Sequence, residues 1–80
     1  MKVLFTAIGR RVQLIKHFKE YHRVIGVDIE ELVPAKYFVD AFYKVPKWND
    51  EDYIDVLLSI CEKERVDMII PLFEKEFIVP

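Results

Sequence analysis

The chain has one cysteine and two glycines in 80 residues, no surplus of basic charge, and no long apolar run. A single cysteine cannot build an internal disulfide framework, which fits a reducing cytoplasm. Twelve Lys and Arg against fourteen Asp and Glu give a formal net charge of −2, whereas a nucleic-acid binder is expected to carry a basic surplus. The apolar residues come in short blocks broken by charges, so no segment is long enough to span a bilayer. Neither a nucleic acid nor a membrane is therefore an expected partner. With glycine only at Gly9 and Gly26, neither the dinucleotide fingerprint G-x-G-x-x-G nor a G-K-[ST] phosphate loop is met. Met1-Lys2 leads straight into a strand-like run without a small-residue cleavage pattern, so no secretory leader is expected.

What is present is a hydrophobic share of 52%, too high for a disordered chain. Eighty residues make one small domain that buries about 60–65% of its unfolded surface. That is too short for an enzyme with separate nucleotide-binding and substrate-binding halves.

Val3 to Ile8 is an apolar run without polar alternation, the pattern of a strand buried on both faces. Gly9 ends it. From Arg10 to Tyr21 the spacing turns helical, with Val12, Ile15 and Phe18 on one stripe and Leu14 beside them. Arg23 to Asp28 reads as a second buried strand closed by a carboxylate. Pro34 opens a short helical turn through Ala35, Lys36 and Tyr37, and Ala41 to Val45 reads as a third strand stopped by Pro46. Asn49 is the expected N-cap of a second helix, whose first turn holds Asp50, Glu51 and Asp52. Ile54, Leu57, Leu58 and Cys61 give that helix an apolar stripe. Asp67 to Leu72 is the fourth strand, followed by the tail Phe73 to Pro80.

Strands alternating with helices imply right-handed crossovers and a mostly parallel sheet covered on both faces. The expected architecture is thus a three-layer, Rossmann-like α/β domain with strand order 3-2-1-4. Such sheets bind ligands at the carboxyl ends of their strands, a rim holding Ile8 to Arg11, Asp28 and the turn from Pro71 to Glu74.

The turn from Thr6 to Arg11 joins a strand to a helix and sets Arg10 and Arg11 against the positive end of a helix dipole. One reading is an anion site, with either guanidinium as a bidentate clamp on phosphate or carboxylate and the N–H groups after Gly9 assisting. The other is two solvated arginines reaching back to nearby acidic residues. Asp28 lies where dinucleotide domains keep a ribose-binding carboxylate, but any parallel sheet puts an Asp at a strand end as the cap of the following turn, and that plainer reading is the favoured one. Glu74 and Glu76 follow the fourth strand, where they are read as orienting a substrate amine or, as the favoured reading, capping a following helix. His17 and His22 lack partners at metal-ligand spacing, Cys61 reads as an inert core thiol, and Trp48 as a packing anchor. No nucleophile–base pair is evident, so no catalytic residue is assigned.

The segments Thr6-Ala7-Ile8-Gly9-Arg10-Arg11-Val12-Gln13-Leu14 and Val24-Ile25-Gly26-Val27-Asp28 resemble the start of ATP-grasp enzymes of the carbamoyl-phosphate-synthase-large-subunit-like group. Asp40 to Pro46, Tyr53 to Leu58 and Asp67 to Leu72 follow that pattern in order. The resemblance spans essentially the whole chain and implies a pre-ATP-grasp domain over residues 1–80, with the ATP-grasp domain itself absent. Members of the group join a carboxylate to an amine or ammonia through an acyl phosphate, using ATP and Mg²⁺. The residues that hold nucleotide and metal in that family have no counterpart here, and Phe77-Ile78-Val79-Pro80 reads as an apolar segment stopped in mid-course. The resemblance therefore implies a truncated, substrate-side domain that is inactive alone, with Gly9, Arg10, Arg11, Asp28 and Glu74 as substrate contacts. Its expected partners are a small carboxylate or phosphate and either the missing ATP-grasp domain or a second copy. The alternative is a non-catalytic ligand-binding or dimerisation module with the same fold.

Overall fold

The computed structural model describes residues 1–72. Its elements are β1 (Lys2–Thr6), α1 (Val12–Lys19), β2 (Arg23–Asp28), a 3₁₀ turn (Pro34–Phe38), β3 (Ala41–Lys44), α2 (Tyr53–Glu64) and β4 (Met68–Pro71). The four strands form one sheet in the order β3-β2-β1-β4, and all three pairings are parallel. Glu74 and the tail from 73 to 80 lie outside the described residues.

Alternation along the central strands divides the core into two layers. Val3, Phe5 and Val24 point to one face and are covered by Ile8, Ile15, Val33 and Ala35. Phe18 of α1 meets Phe5 edge to face, with ring centroids 5.0 Å apart. Leu4, Ile25 and Val27 point to the other face, where Val45, Tyr53, Leu57 and Ile60 close over them. The expected three-layer Rossmann-like arrangement is the one observed.

Two aspartates start the outer ladders. Asp67 precedes β4; its carboxylate accepts the Lys2 N–H at 2.8 Å, and its own N–H donates to the Lys2 carbonyl at 2.7 Å. Asp40 does the same for β3, accepting from the Val24 N–H at 2.7 Å and donating to the Val24 carbonyl at 2.8 Å. Each pair satisfies main-chain groups where the ladder begins, which fixes its register. At the end of α2, the Tyr43 hydroxyl donates to Glu64. That bond holds the Glu64 carboxyl below the usual carboxylate range and pushes the Tyr43 phenol up.

Several boundaries and faces differ from the sequence reading. β1 ends at Thr6, and α1 begins at Val12 rather than Arg10, because residues 7–10 form a turn with Ala7 and Gly9 at positive φ. Asn49 is not the N-cap of α2. Asp52 holds that position, and its N–H donates to the Asp50 carboxylate at 2.8 Å. The buried stripe of α2 is also rotated: Ile54 is 58% and Leu58 55% exposed. Tyr53, Leu57 and Ile60 are buried instead, with Val56 and Cys61 packed beside them. Counting Tyr53 gives apolar positions at i, i+3, i+4, i+7 and i+8, a fuller helical stripe than the one beginning at Ile54. Burial pushes the Cys61 thiol pKa up, which suits an unreactive core thiol. No helix among the described residues is long and apolar enough to cross a membrane.

Gly26 sits in the middle of a buried strand for a steric reason. A Cβ there would lie 2.8 Å from Ile8 Cδ1 and 2.9 Å from Val39 Cγ1. Both side chains pack across β2 in the space that a larger residue would fill. Gly26→Ala is expected to destabilise the domain by about 1–3 kcal/mol, measured by urea denaturation of the two chains. Equal midpoints would show that Ile8 and Val39 move aside freely.

Candidate functional site

The carboxyl ends of β1, β2 and β3 converge on the turn that follows β1. This turn is tied down on three sides. The Ile8 N–H donates to the Val27 carbonyl at 3.3 Å, and the Gly9 carbonyl accepts the Ala35 N–H at 3.0 Å. The Gly9 N–H donates to Asp28 Oδ2 at 2.9 Å. Asp28 Oδ1 meanwhile accepts the Glu30 N–H at 3.0 Å, an Asx-type turn that redirects the chain as β2 ends. The capping reading of Asp28 is thus realised, and the same carboxylate bridges two loops of the rim. It is only 8% exposed.

The backbone donors of the turn are largely spent inside it. Besides the Gly9 bond to Asp28, the Arg11 N–H donates to the Ile8 carbonyl and the Val12 N–H to the Arg10 carbonyl, both at 2.8 Å. The expectation that the N–H groups after Gly9 help to hold an anion is therefore corrected for Arg11 and Val12. Arg10 and Arg11 are exposed, no acidic residue lies in the first turn of α1, and neither arginine forms an ion pair among the described residues. Among the described residues, the reading in which they reach back to nearby acids finds no ion pair. Of the five expected contacts, the structure brings Gly9, Arg10, Arg11 and Asp28 to one rim, and Glu74 lies outside the described residues.

Sequence reasoning missed the other side of this rim. Val45, Lys47 and Trp48 after β3, with Tyr53 at the start of α2, join Ala7, Asp28 and Ile29 around a cavity of about 350 Å³. The strand order 3-2-1-4 contains the missing signal, because it sets the end of β3 beside the end of β2. Ala7 was also overlooked. It holds φ +52°, a conformation that favours glycine, and with Gly9 it has the spacing of the first two fingerprint glycines.

A parallel 3-2-1-4 sheet with its polar turn at the carboxyl end of β1 defines a Rossmann-like α/β domain of the kind that binds ligands at that edge. The family described as PylC-like, N-terminal domain, matches the chain over residues 3–79, and the chain belongs to that family. The match bears out an N-terminal domain of the ATP-grasp-associated type, without singling out the carbamoyl-phosphate-synthase-like group. No curated protein matches the chain. Among the described residues no three His, Cys, Asp or Glu side chains group as metal ligands.

The strain at Ala7 has a measurable consequence. The left-handed region costs an L-residue about 1–2 kcal/mol, part of which glycine gives back through its freer unfolded state. Ala7→Gly is expected to raise stability by about 0.5–1 kcal/mol in chemical denaturation. A loss of stability would mean that the Ala7 methyl packs more favourably than its backbone is strained.

Proposed function

We propose that this chain is the N-terminal, substrate-side domain of an ATP-dependent carboxylate–amine ligase and is catalytically incomplete by itself. The family match supports an ATP-grasp association, and the resemblance of the Thr6–Leu14 and Val24–Asp28 segments favours the carbamoyl-phosphate-synthase-like group within it. ATP and Mg²⁺ then belong to the ATP-grasp domain of the longer enzyme. The work of this domain is to hold the acidic substrate at the rim and present it to that domain.

One observation carries this reading. Two exposed guanidinium groups stand at the unfavourable end of α1 with no acidic residue in its first turn and no ion-pair partner among the described residues. Each placement costs about 0.3–1 kcal/mol against the helix dipole, and an anion bound between them reverses that cost. A bidentate guanidinium bond adds orientation to charge, so a carboxylate or phosphate docked there is held in one pose. Asp28 acts on this site indirectly, by fixing Gly9 and with it the direction in which α1 leaves. The edge strand β4 carries Met68 at 46% and Ile69 at 39% exposure, and covering it falls to the ATP-grasp domain or to a second copy of the chain.

The test uses the longer enzyme in which this domain is joined to its ATP-grasp partner. Arg10→Ala and Arg11→Ala are each expected to raise KM for the acidic substrate by roughly tenfold, with kcat and folding little changed. Unchanged KM in both variants would remove the arginines from the site. A reading frame ending at codon 80 with no ATP-grasp gene beside it would contradict the ligase reading itself.

A further inference from the structure

Helix α2 carries apolar residues on two adjacent faces, and the sheet covers only one of them. Tyr53, Leu57 and Ile60 are buried with Leu4, Ile25 and Val27, while Ile54 and Leu58, one turn apart, are exposed. Lys63 lies over the Tyr43 ring of β3 at 5.3 Å, which fixes the flank of α2 that faces β3. At about 100° per residue, Leu58 and Ile54 stand roughly 140° and 180° around the helix from Lys63, on the flank toward β4. There Ile69, in register with Leu4 and so facing the same layer, is exposed as well. The sequence along this flank is regular. Glu51, Ile54, Leu58, Cys61 and Arg65 follow one another at alternating steps of three and four residues, the repeat of a helix-pairing seam.

We infer that α2 pairs through this seam with α2 of a second copy of the chain, the two helices running antiparallel about a two-fold axis at Leu58. Charge selects this occupant. Glu51 lies seven residues before Leu58 and Arg65 seven after it, about two helical turns in each direction. Both are exposed, and neither forms an ion pair among the described residues. An antiparallel pair sets Glu51 of each copy beside Arg65 of the other, so the two-fold axis makes the same ion pair twice. A parallel pair sets Glu51 beside Glu51 and Arg65 beside Arg65, which like-charge repulsion disfavours. The opposed helix dipoles favour the antiparallel arrangement too. Leu58 meets its symmetry mate at the axis, with Ile54 along the seam and Ile69 at its margin. An apolar area this small belongs to the weak, transient class of interfaces. The pairing does not depend on the ligase reading: mass in solution judges the one, and turnover of the longer enzyme judges the other.

Sedimentation velocity of the 80-residue chain over a concentration series is expected to show a monomer–dimer equilibrium, with a dissociation constant on the order of 0.1–1 mM. Leu58→Asp, at an exposed position, should leave a monomer throughout, with helix content by circular dichroism unchanged. Glu51→Arg and Arg65→Glu should each weaken the dimer by roughly tenfold, because each sets like charges together in both symmetry-related pairs. An equimolar mixture of these two variants should regain the dimer, since every pair between the chains is again of opposite charge. A chain that stays monomeric at millimolar concentration would overturn the inference. So would a dimer indifferent to Leu58→Asp, or a mixture that associates no better than its two components.

Discussion

The seating of Ile8 over Gly26 is the contact on which the rest of the rim depends. β2 has no side chain at that point, and Ile8 Cδ1 occupies the space where a Cβ would lie only 2.8 Å away. Ile8 is fully buried as a result, so the residue that ends the apolar run after β1 is pinned inside the first core layer. Burying a side chain of this size contributes about 1.5–3 kcal/mol, more than the roughly 1–2 kcal/mol that the left-handed backbone of Ala7 costs. The turn is strained, and it is strained because Ile8 is worth burying.

From that anchor the geometry of the rim follows. With Ile8 down, Gly9 comes within 2.9 Å of the Asp28 carboxylate and its carbonyl reaches Ala35 of the 3₁₀ turn. The chain then rises into α1 with Arg10 and Arg11 facing solvent. The same bend brings Ala7 to the edge of the apolar cavity. Asp28 stands between the two regions, as a wall of the cavity and as the acceptor that holds the turn. Internal bonds take the Gly9, Arg11 and Val12 N–H groups.

The fold was legible from the residues because its strongest signals are local. The largely apolar run Val3–Ile8 and the apolar stretch Val24–Val27 between Arg23 and Asp28, each followed by a turn, mark strands covered on both faces, and their alternation with helical spacing implies the parallel 3-2-1-4 sheet. The placement of Arg10, Arg11 and Asp28 at one rim followed from that topology. What stayed hidden depends on packing. Nothing local in Thr6-Ala7-Ile8-Gly9 says that Ala7 takes a positive φ, because the contacts that hold this turn, Ile8 against Gly26 and Gly9 on Asp28 and Ala35, are distant in the chain. The face of α2 was misread because Tyr53 was left out of the stripe, and Asn49 yielded to Asp52 as the helix start. The ladder-starting roles of Asp40 and Asp67 arise from reciprocal bonds to Val24 and Lys2, which are distant in the chain. The cavity is a product of three strand ends meeting, and no single segment encodes it.

The claim that ligands bind at the carboxyl rim, around the Ile8–Gly26 anchor, is tested most directly by amide chemical-shift mapping of the ¹⁵N-labelled chain. A small dicarboxylate and inorganic phosphate are added in turn. With each, shifts should concentrate on Gly9, Arg10 and Arg11. Shifts confined to the opposite end of the sheet, around Lys19, Arg23 and Arg65, or no shifts with either ligand, would contradict it.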